Sequence, residues 1–284
     1  MNEFSQFKNK PKWLKVPLAK GEKYIQLKSL VKKNNLATIC QSGNCPNMGE
    51  CWNSGTATFL ILGTKCTRNC LFCDVEPGRP QPPSPSEPFD VADAVKKMNL
   101  MHCVITSVTR DDLPDYGASH WAATIAEVKK HNPGVTMEVL IPDMHDKIEF
   151  LKIIADQKPD IISHNIETVK RLFPLVRPQA NYQRSLKQLK DTAQFNLITK
   201  SGFMVGLGET EAEVFELLVN LHEQNTQIVT IGQYLAPSPN HYPLNEYIHP
   251  DQFIKYKEYG EKIGIRKVIS APLVRSSYHS ERQL

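Results

Sequence analysis

Three cysteines lie close together in the segment CTRNCLFC, at Cys66, Cys70 and Cys73. Three thiolates at this spacing can hold three irons of a [4Fe-4S] cube and leave the fourth iron without a protein ligand. Structural zinc prefers four ligands in a closed tetrahedron, usually as two separated pairs, and no second pair is near in the sequence. The spacing therefore favours an iron–sulfur cluster with one open iron, with structural zinc as the weaker alternative.

A second group of cysteines precedes the first, in the segment CQSGNCPNMGEC, which contains Cys40, Cys45 and Cys51. Its proline, asparagine and glycine residues favour the turns that are needed to fold three thiols around one centre. We therefore predict a second iron–sulfur cluster, whose fourth ligand is not evident in the neighbouring sequence. The alternative is three unrelated structural cysteines.

The composition is that of a soluble globular protein. Of the 284 residues, 40% are hydrophobic and 23% are charged, which is ordinary for a folded domain. The cysteine count is 7, an odd number, and in a chain that is not secreted this favours metal or redox chemistry over disulfides. The polar N-terminus has no signal peptide and no apolar run could span a bilayer, so we expect a cytoplasmic protein without a membrane partner.

Charge is distributed unevenly along the chain. The formal net charge is only +4, and no basic tract with interleaved aromatic residues is present, so we expect no nucleic-acid partner. Residues 1–33 nevertheless contain nine lysines and two acidic residues. This basic segment is either a solvated face or a docking surface for an acidic partner.

The elements that must position the cysteines alternate between strand and helix patterns. A short apolar run at 57–63 predicts a strand directly before Cys66, and six prolines within 77–88 predict an extended connection after the cysteine loop. Further strands are predicted at 102–108, 136–141, 160–164, 199–205 and 228–233. Helices are predicted at 24–34, 120–131, 147–157, 182–195, 210–223 and 250–263, with Thr210 and Glu213 at capping-box spacing.

Six strands that alternate with helices predict an α/β fold with a parallel sheet, and they favour a partial (β/α)6 barrel over a doubly wound open sheet. In either fold the functional residues collect where strands end and βα loops begin. We expect an N-terminal extension at 1–56 with the second cysteine group, a barrel at 57–265, and a C-terminal segment at 266–284. A strand-like run at 268–274 leads into that last segment.

The CxxxCxxC spacing, with Phe72 just before its last cysteine, resembles the radical S-adenosylmethionine (radical SAM) superfamily. The resemblance implies that the open iron binds the amino and carboxylate groups of S-adenosylmethionine. It also implies that one-electron reduction then yields a 5′-deoxyadenosyl radical. Such a radical removes hydrogen from an unactivated carbon, which no side-chain acid or base can do.

Over nearly the whole chain the sequence is similar to the lipoyl synthase family. The shared segments, in the family's order, are CPNMGECW (45–52), TSVTRDDLPDYGA (106–118), HNIETV (164–169), GLGET (206–210), GQYLAPS (232–238) and RSSYH (275–279). The chain departs from the family pattern at Gln41, Ser42, Gly43, Thr109 and Tyr116. None of these is a predicted cluster ligand, so the departures concern loop packing and substrate contacts rather than the reaction class.

The resemblance implies the missing ligand of the second cluster. In the family a serine of the RSSY motif completes this auxiliary cluster, and the motif matches here at Ser277. The C-terminal segment would thus close the site of Cys40, Cys45 and Cys51. A serine oxygen is displaced from iron more easily than a thiolate, so a cluster held in this way can be opened and consumed.

A pocket for S-adenosylmethionine is expected beside the first cysteine loop. Asn165 and Glu167 match the HNxE segments of related sulfur-inserting enzymes and are expected to hold the ribose hydroxyls. Arg184 can pair with the carboxylate, since arginine offers a fixed fork of donors. Thr106 and Ser107 follow the second predicted strand and are expected to line the same pocket, although isolated residues of this kind are more often caps or surface groups.

The reaction that the resemblance implies is the insertion of two sulfur atoms at C6 and C8 of an octanoyl chain. The chain is carried on a lysine of a lipoyl-carrier domain, such as the glycine cleavage H protein or the E2 protein of a 2-oxoacid dehydrogenase. The other implied partners are a reductant such as ferredoxin or flavodoxin and a protein that repairs the cluster. Carrier domains are often acidic, which makes the basic segment a candidate docking surface.

Two alternatives to this function remain open. Another radical SAM sulfur-inserting enzyme, of the biotin-synthase type, would share the Cys66 loop. A non-catalytic iron–sulfur electron carrier would need neither a pocket for S-adenosylmethionine nor a barrel of this size.

Overall fold

The computed structural model describes residues 10–15, 21–33, 37–42 and 45–284. Within these ranges the chain alternates between strands and helices, which confirms the α/β class. The strands are β1 (Ala37–Thr38), β2 (Thr56–Ile61), β3 (His102–Ser107), β4 (Thr136–Leu140), β5 (Ile161–Ser163), β6 (Ile198–Val205), β7 (Ile228–Gln233) and β8 (Lys267–Ser270). The helices are α1 (Glu22–Lys33), α2 (Ile39–Ser42), α3 (Met48–Asn53), α4 (Glu87–Lys97), α5 (Ala118–His131), α6 (Ile148–Ala155), α7 (Phe173–Val176), α8 (Tyr182–Ala193), α9 (Glu211–Glu223) and α10 (Pro250–Lys262).

The eight described strands form one sheet in the order of the chain, from β1 to β8. Strands β2 to β8 are parallel, and β1 pairs antiparallel to β2. The six predicted strands are confirmed as β2 to β7, and β8 takes up the first part of the strand-like run at 268–274. We call the edge formed by the C-terminal ends of β2 to β8 the carboxyl edge, and the opposite edge the amino edge.

Helix α4 and strand β1 were not predicted, and neither were the short helices α2 and α3 around the second cysteine group. Helix α4 begins at Glu87, inside the proline-rich stretch that was expected to be extended as far as residue 88. Pro88 occupies the first turn of this helix. Backbone N–H groups in the first turn have no partner within the helix, so the missing N–H of proline costs no hydrogen bond, and its fixed φ suits the helix. Strand β1 has only two residues, too few for a periodic pattern. These additions extend the predicted sequence of elements without changing the fold.

The two faces of the sheet differ in chemistry. Met137 and Val139 of β4 point to the helices and belong to one hydrophobic cluster, while Phe203 and Val205 of β6 belong to a second cluster with α8, α9 and α10. The alternate residues of these strands point to the opposite, inner face, because successive side chains of a strand alternate. The inner face is polar in its middle, where it carries the buried side chains of Glu138, Ser163, Lys200 and Thr230.

The C-terminal residues 271–284, here called the terminal segment, lie along the inner face. The segment starts at the carboxyl edge, where Gln233 donates its backbone N–H to Pro272 (3.1 Å). The carbonyl of Val274 then lies so close to Gly232 that any Cβ at this position would collide with it. The segment ends at the amino edge, where the hydroxyl of Thr56 donates to Glu281 (3.0 Å). The division of the chain at residues 56 and 265 remains a prediction, since β1 and β8 both join the barrel sheet.

None of the described helices combines the length and the apolar character that crossing a membrane would require. The predicted N-terminal helix is confirmed as α1, whose last predicted residue, Asn34, lies outside the described residues. Parts of the basic segment, residues 1–9 and 16–20, also lie outside them.

Candidate active site with two cysteine groups

The first cysteine loop follows β2 at the carboxyl edge, as predicted. Its backbone is held at Cys66, which donates its N–H to Glu76 (2.9 Å) and accepts from Gly78 (2.8 Å). Farther along the loop, Leu71 donates to the carbonyl of Val176 (2.9 Å). The loop is therefore fixed by the proline-rich connection on one side and by the end of α7 on the other.

The connection between β7 and α10 covers the same loop. Tyr242 donates its backbone N–H to the carbonyl of Leu71 (2.7 Å), and Nε2 of His241 lies 3.1 Å from the carbonyl of Cys73. These contacts to main-chain atoms hold the path of the loop and leave its thiols to bind other groups.

The thiols of this loop are close enough to act on one another electrostatically. Burial, together with the neighbouring Cys70 and Cys66, raises the pKa of Cys73 to about 12. Burial also raises the pKa of Cys70, although the charge of Arg177 opposes this. Cys70 and Cys73 therefore hold protonated thiols at neutral pH unless a cationic centre binds them, and metal binding would release these protons. The donor set fits an iron–sulfur cluster, in which each thiolate bonds a different iron.

A buried ion-pair network fixes the loop to two neighbouring loops. Arg68 is buried and makes a bidentate contact with Asp111 (Nε 2.8 Å and Nη2 2.7 Å), and its Nη1 donates to Asp143. Burial alone would raise the pKa of Asp143, but Arg68 holds it well below its ordinary value. Since Asp111 follows β3 and Asp143 follows β4, Arg68 holds together the loops at the ends of three strands. The sequence analysis did not identify this network.

Arg184 joins the same network from α8. Its Nε lies 2.8 Å from Oδ1 of Asp143, close enough for an ion pair but not aligned as a hydrogen bond. The predicted carboxylate-binding residue is thus placed beside the loops that surround the site, with one edge of its guanidinium already facing a protein carboxylate.

Glu167 and Asn165 lie just past β5 at the carboxyl edge, as predicted. Glu167 has a φ of 70°, a left-handed conformation that costs a residue with a side chain about 1–3 kcal/mol. The backbone around it is held to β6, because Glu167 donates to Gly202 (3.0 Å) and Met204 donates to Glu167 (2.9 Å). Burial raises the pKa of the Glu167 carboxyl, and the charge of Arg177 opposes this. A strained residue held by its neighbours is typical of a binding site.

Glycine at position 202 makes room for Asn165. A Cβ there would lie 3.0 Å from Oδ1 of Asn165 and would collide with the hydroxyl of Thr230. That Oδ1 is buried and has no hydrogen-bond donor among the described residues. An acceptor left in this state fits a ligand that brings its own donor, such as a hydroxyl or an ammonium group.

Arg177 is the residue at this site that the sequence analysis missed. It is buried, donates through Nη1 to the carbonyl of Asn165 (3.0 Å), and interacts with both Cys70 and Glu167. Its Nε is also buried and has no acceptor within the described part of the chain. A buried cation with an unused donor fits an anionic ligand group. Its only signal in the sequence is an arginine before a proline, which is too common to predict a site.

Thr106 and Ser107, the two polar residues predicted at the end of β3, differ in whether their hydroxyl groups have a hydrogen-bond partner. Thr106 is buried and donates its hydroxyl to the carbonyl of Leu140 (3.0 Å), so this hydroxyl already serves the neighbouring strand. The hydroxyl of Ser107 is buried without a partner among the described residues. Of the two, Ser107 is therefore the one with unused hydrogen-bonding capacity.

The second cysteine group precedes β2 and lies against the terminal segment, because Nδ2 of Asn47 donates to the carbonyl of Leu273 (2.6 Å). Strand β1 runs antiparallel to β2, with Thr38 opposite Phe59, and so carries the chain toward the amino end of β2 just before Cys40. Helix α3, which contains Cys51, ends three residues before β2 begins. Burial, together with Cys45 and Cys40, raises the pKa of Cys51 to about 12, which indicates that the three thiols are neighbours.

The terminal segment contacts this second group. The backbone of His279 lies near Cys51 and lowers the pKa of its thiol. On the same side, Glu50 accepts from the hydroxyl of Tyr278 (3.2 Å) and lies 2.9 Å from Nε2 of His279. Ser277, the predicted fourth ligand, immediately precedes these two residues. The chain thus brings together positions that lie more than two hundred residues apart in the sequence.

The two cysteine groups therefore flank β2 in the chain, the second group before the strand and the first group after it. This strand has six residues and spans about 20 Å at 3.3 Å per residue. Among the described residues no three His, Cys, Asp or Glu side chains are placed to bind a single metal ion. An iron–sulfur cluster does not require this, because each thiolate bonds a different iron. The arrangement provides two separate thiol sites.

The departures from the family pattern lie around these sites. Thr109 contacts Sγ of Cys66 through its backbone N–H (3.3 Å), a contact that does not depend on the side chain. Tyr116 has a φ of 53° and stacks on the ring of His145 at 4.4 Å. Gln41 and Ser42 lie on α2, while Gly43 lies outside the described residues.

Comparison with known proteins gives a consistent result. Residues 60–220 match the Radical SAM superfamily. The chain is 55% identical to the lipoyl synthase of Phocaeicola vulgatus over 275 residues, which span 97% of each protein. It is 53% identical to the lipoyl synthase of Caldanaerobacter subterraneus over 274 residues, which span 96% of each.

Solved structures with the same fold are more distant in sequence. Methylornithine synthase matches with a TM-score of 0.61 and 13% identity, over 75% of this chain and 63% of that protein. SuiB of Streptococcus suis, in its complex with S-adenosylmethionine, matches with a TM-score of 0.58 and 11% identity, over 76% of this chain and 50% of SuiB. At these identities the likeness concerns the fold alone.

Proposed function

The chain belongs to the radical SAM superfamily and, within it, to the lipoyl synthases, and on that premise we propose how its residues divide the work. The reaction is the insertion of two sulfur atoms at C6 and C8 of a protein-bound octanoyl-lysine, which gives lipoyl-lysine. One observation supports our assignment of roles: the two cysteine groups form separate sites, one in the loop that follows β2 and one against the terminal segment.

S-adenosylmethionine and one [4Fe-4S] cluster are cofactors of the superfamily, and we propose a second, auxiliary [4Fe-4S] cluster in this chain. When bound, these groups supply the electron for cleaving S-adenosylmethionine, the carbon radical and the inserted sulfur. Cys66, Cys70 and Cys73 hold the first cluster, and three thiolates leave its fourth iron open. The Arg68 network keeps the loop in place, because it joins the loop to Asp111 and Asp143.

The residues around the first cluster bind S-adenosylmethionine. Glu167 and Asn165 hold the ribose hydroxyls, supported by the strained backbone of Glu167 and the unused Oδ1 of Asn165. Ser107 offers a further hydroxyl at the end of β3, next to Thr106. Arg184 and Arg177 are the cations available to the methionine carboxylate, and Arg177 is the one with a buried, unused Nε.

Cys40, Cys45 and Cys51 hold the auxiliary cluster, and Ser277 completes it. Support comes from the contacts of Tyr278 and His279 with Glu50 and of the His279 backbone with Cys51. The terminal segment also covers the inner face, which keeps water from the space between the sites. Closing this space matters because a carbon radical abstracts hydrogen from any accessible C–H or S–H group, and a closed site prevents such side reactions.

The carrier substrate is an octanoylated lipoyl domain, from the glycine cleavage H protein or a 2-oxoacid dehydrogenase E2 protein. We propose that it docks on the basic segment, where Lys12, Lys15 and Lys28 are exposed. If it does, salt should raise the KM for an acidic carrier. Reduction by ferredoxin or flavodoxin, repair by a cluster-assembly protein and a cytoplasmic location complete the proposal.

Iron content and S-adenosylmethionine cleavage, measured together, test this function. Anaerobically reconstituted protein should contain about eight irons per chain, as two four-iron cubes require. On addition of reductant it should form 5′-deoxyadenosine, and with an octanoylated carrier it should form lipoyl-lysine. Eight irons without 5′-deoxyadenosine would indicate an electron carrier, and 5′-deoxyadenosine with only four irons would contradict the auxiliary cluster.

Glu167→Gln should weaken S-adenosylmethionine binding. The variant keeps the size of the side chain but loses a charged acceptor, and hydrogen bonds to charged groups contribute about 1.5–3 kcal/mol. The KM for S-adenosylmethionine in 5′-deoxyadenosine formation should therefore rise by a factor of about ten or more. Glu213→Gln is the matched control, because this carboxylate pairs with Arg171 on the surface (2.7 Å). Equal KM values in the two variants would contradict the role of Glu167.

Two substitutions at Ser277 test the fourth ligand. Ser277→Ala should give an auxiliary cluster that loses iron readily and little or no lipoyl product, while 5′-deoxyadenosine formation continues. Ser277→Cys should assemble normally, because a thiolate is a softer and stronger ligand for iron, but should release its sulfur less readily and stall product formation. Product analysis by mass spectrometry checks both variants. Normal rates of dithiolane formation in both would show that Ser277 is not a ligand.

A further inference from the structure

Lys200 and Glu138 form an ion pair in the middle of the inner face. Nζ of Lys200 lies 2.7 Å from Oε2 of Glu138, and both side chains are fully buried. The other carboxylate oxygen of Glu138 accepts from the hydroxyl of Ser163 (2.7 Å). The three residues lie on β4, β5 and β6, so the pair joins three adjacent strands across their polar face.

The ammonium group of Lys200 also contacts a residue outside the sheet. It donates to the backbone carbonyl of Ser276 at 2.6 Å, in the terminal segment. Ser276 immediately precedes Ser277, and its carbonyl belongs to the peptide group that joins the two residues. Lys200 thus holds the main chain of the terminal segment one bond from the residue proposed to bind iron.

The position of this contact relates the two sites. Lys200 precedes Gly202 by two residues on β6, about 7 Å at 3.3 Å per residue. Gly202 lies against Asn165, which belongs to the S-adenosylmethionine pocket. Lys200 is therefore on the inner face one layer nearer the amino edge, between that pocket and the second cysteine group.

A role in folding alone is a weak explanation for these two charges. Removing two charges from water is costly, and a buried ion pair can often be replaced by apolar residues without loss of stability. Burial indeed lowers the pKa of Lys200, and Glu138 opposes this. An apolar pair in the same place would pack the sheet but could not donate to the Ser276 carbonyl.

The residues on the other side of Ser277 are also anchored. Tyr278 and His279 both contact Glu50, which lies on α3 next to Cys51. Ser277 therefore lies between one anchor on the barrel and one anchor on the cysteine-bearing helix. The main-chain anchor before Ser277 and the side-chain anchors on the two residues after it limit the freedom of its backbone, and with it the reach of its hydroxyl.

We propose that Lys200, held by Glu138, is a positioning residue that places Ser277 against the auxiliary cluster by fixing the carbonyl of Ser276. This inference rests on the proposed role of Ser277 as fourth ligand and adds the device that presents it. The expected consequence is that Lys200 controls how firmly the auxiliary cluster is held, and that it does so only through Ser277.

The test uses full-length protein in which Cys66, Cys70 and Cys73 are alanine, so that only the auxiliary cluster is present. Iron release to a chelator and the EPR spectrum of the reduced cluster are measured for four proteins: this parent, Lys200→Met, Ser277→Ala and the double variant. Lys200→Met should release iron about tenfold faster than the parent, which corresponds to about 1.4 kcal/mol, and should shift the spectrum toward that of Ser277→Ala. In the Ser277→Ala background, Lys200→Met should add nothing further.

Two controls separate positioning from a general loss of stability. Lys129→Met removes another lysine that donates to backbone carbonyls, those of Gln157 (3.1 Å) and Lys158 (2.7 Å), far from the cysteines, and should leave iron release unchanged. A protein with both Lys200→Met and Glu138→Gln has no unpaired buried charge, so it should fold while still releasing iron faster.

The possible outcomes are distinct. If Ser277→Ala speeds iron release and Lys200→Met does not, the inference is wrong and the ligand assignment stands. If the two substitutions have additive effects, Lys200 acts on the fold rather than through Ser277, and the inference is again wrong. If Ser277→Ala itself has no effect, the ligand assignment fails and the inference fails with it.

Discussion

Replacing Cys66, Cys70 and Cys73 together by alanine is expected to reduce 5′-deoxyadenosine formation to the level of a sample without protein. Lipoyl product should disappear with it. The reason is that no other described cysteines lie at the end of β2 beside Glu167 and Arg177, so the proposed site for S-adenosylmethionine loses the metal ligands that we assign to it. Anaerobic incubation with S-adenosylmethionine and dithionite, followed by chromatography of the nucleosides, measures this loss.

The seventh cysteine provides the control for this first prediction. Cys103 is fully buried in β3 within the hydrophobic cluster, and burial raises the pKa of its thiol to about 12. Cys103→Ala should retain 5′-deoxyadenosine formation, because a thiol in apolar surroundings behaves as a small hydrophobic group. Residual cleavage in the triple variant, or loss of cleavage in Cys103→Ala, would contradict the assignment of the first cysteine group.

Replacing Cys40, Cys45 and Cys51 by alanine should have a different and equally large effect. S-adenosylmethionine cleavage should persist, because the loop after β2 and its Arg68 network do not involve these residues. Sulfur insertion should be eliminated, since the cluster that we propose as the sulfur source is absent. The variant should therefore show 5′-deoxyadenosine without lipoyl-lysine, and about four irons in place of about eight.

The comparison of the two triple variants makes the second prediction specific. A variant that lacks Cys40, Cys45 and Cys51 but still forms lipoyl-lysine would show that the sulfur comes from elsewhere. A variant that loses 5′-deoxyadenosine as well would show that the two groups do not act separately. Thermal unfolding of both proteins, compared with the parent, checks that the loss of product does not follow from unfolding.

Elements with strong local signals were predictable from the sequence. The helix beginning after Thr210 is an example: Thr210 accepts from the backbone N–H of Glu213 (3.3 Å), and Glu213 accepts from the N–H of Thr210 (2.8 Å). Both halves of this capping box lie within four residues, so the pattern predicts the contact directly. The strands β2 to β7 were predictable for the same reason, because each is an apolar run bounded by turns or helices.

Contacts between distant parts of the chain were not predictable. Arg68 reaches Asp143 across 75 positions, and Lys200 reaches Glu138 across 62. In the sequence each is one charged residue among many, and only the strand order brings them together. Arg177 was missed for the same reason, since its partners come from the turn after β5 and from the cysteine loop.

The part of the candidate site that was predictable is the part whose chemistry depends on the spacing of nearby cysteines in the sequence. Cys66, Cys70 and Cys73 indicated a cluster with an open iron because their spacing is a property of the local sequence. Ser277 was indicated only by resemblance to a family, because a serine in a polar tail carries no signal of its own. Its neighbours Tyr278 and His279 contact Glu50, a contact that joins the two ends of the chain.

The central claim is that the auxiliary cysteine group holds the source of the inserted sulfur. Labelling that source with sulfur-34 tests the claim most directly. The protein is reconstituted anaerobically with iron and sulfur-34 sulfide, freed of unbound sulfide, and incubated with an octanoylated carrier, S-adenosylmethionine and reductant. Mass spectrometry of the carrier should then show lipoyl-lysine in which both sulfur atoms are heavy, at no more than one product per chain without repair. Lipoyl-lysine that contains only sulfur of natural mass would contradict the assignment of Cys40, Cys45 and Cys51 as the site of the sulfur donor.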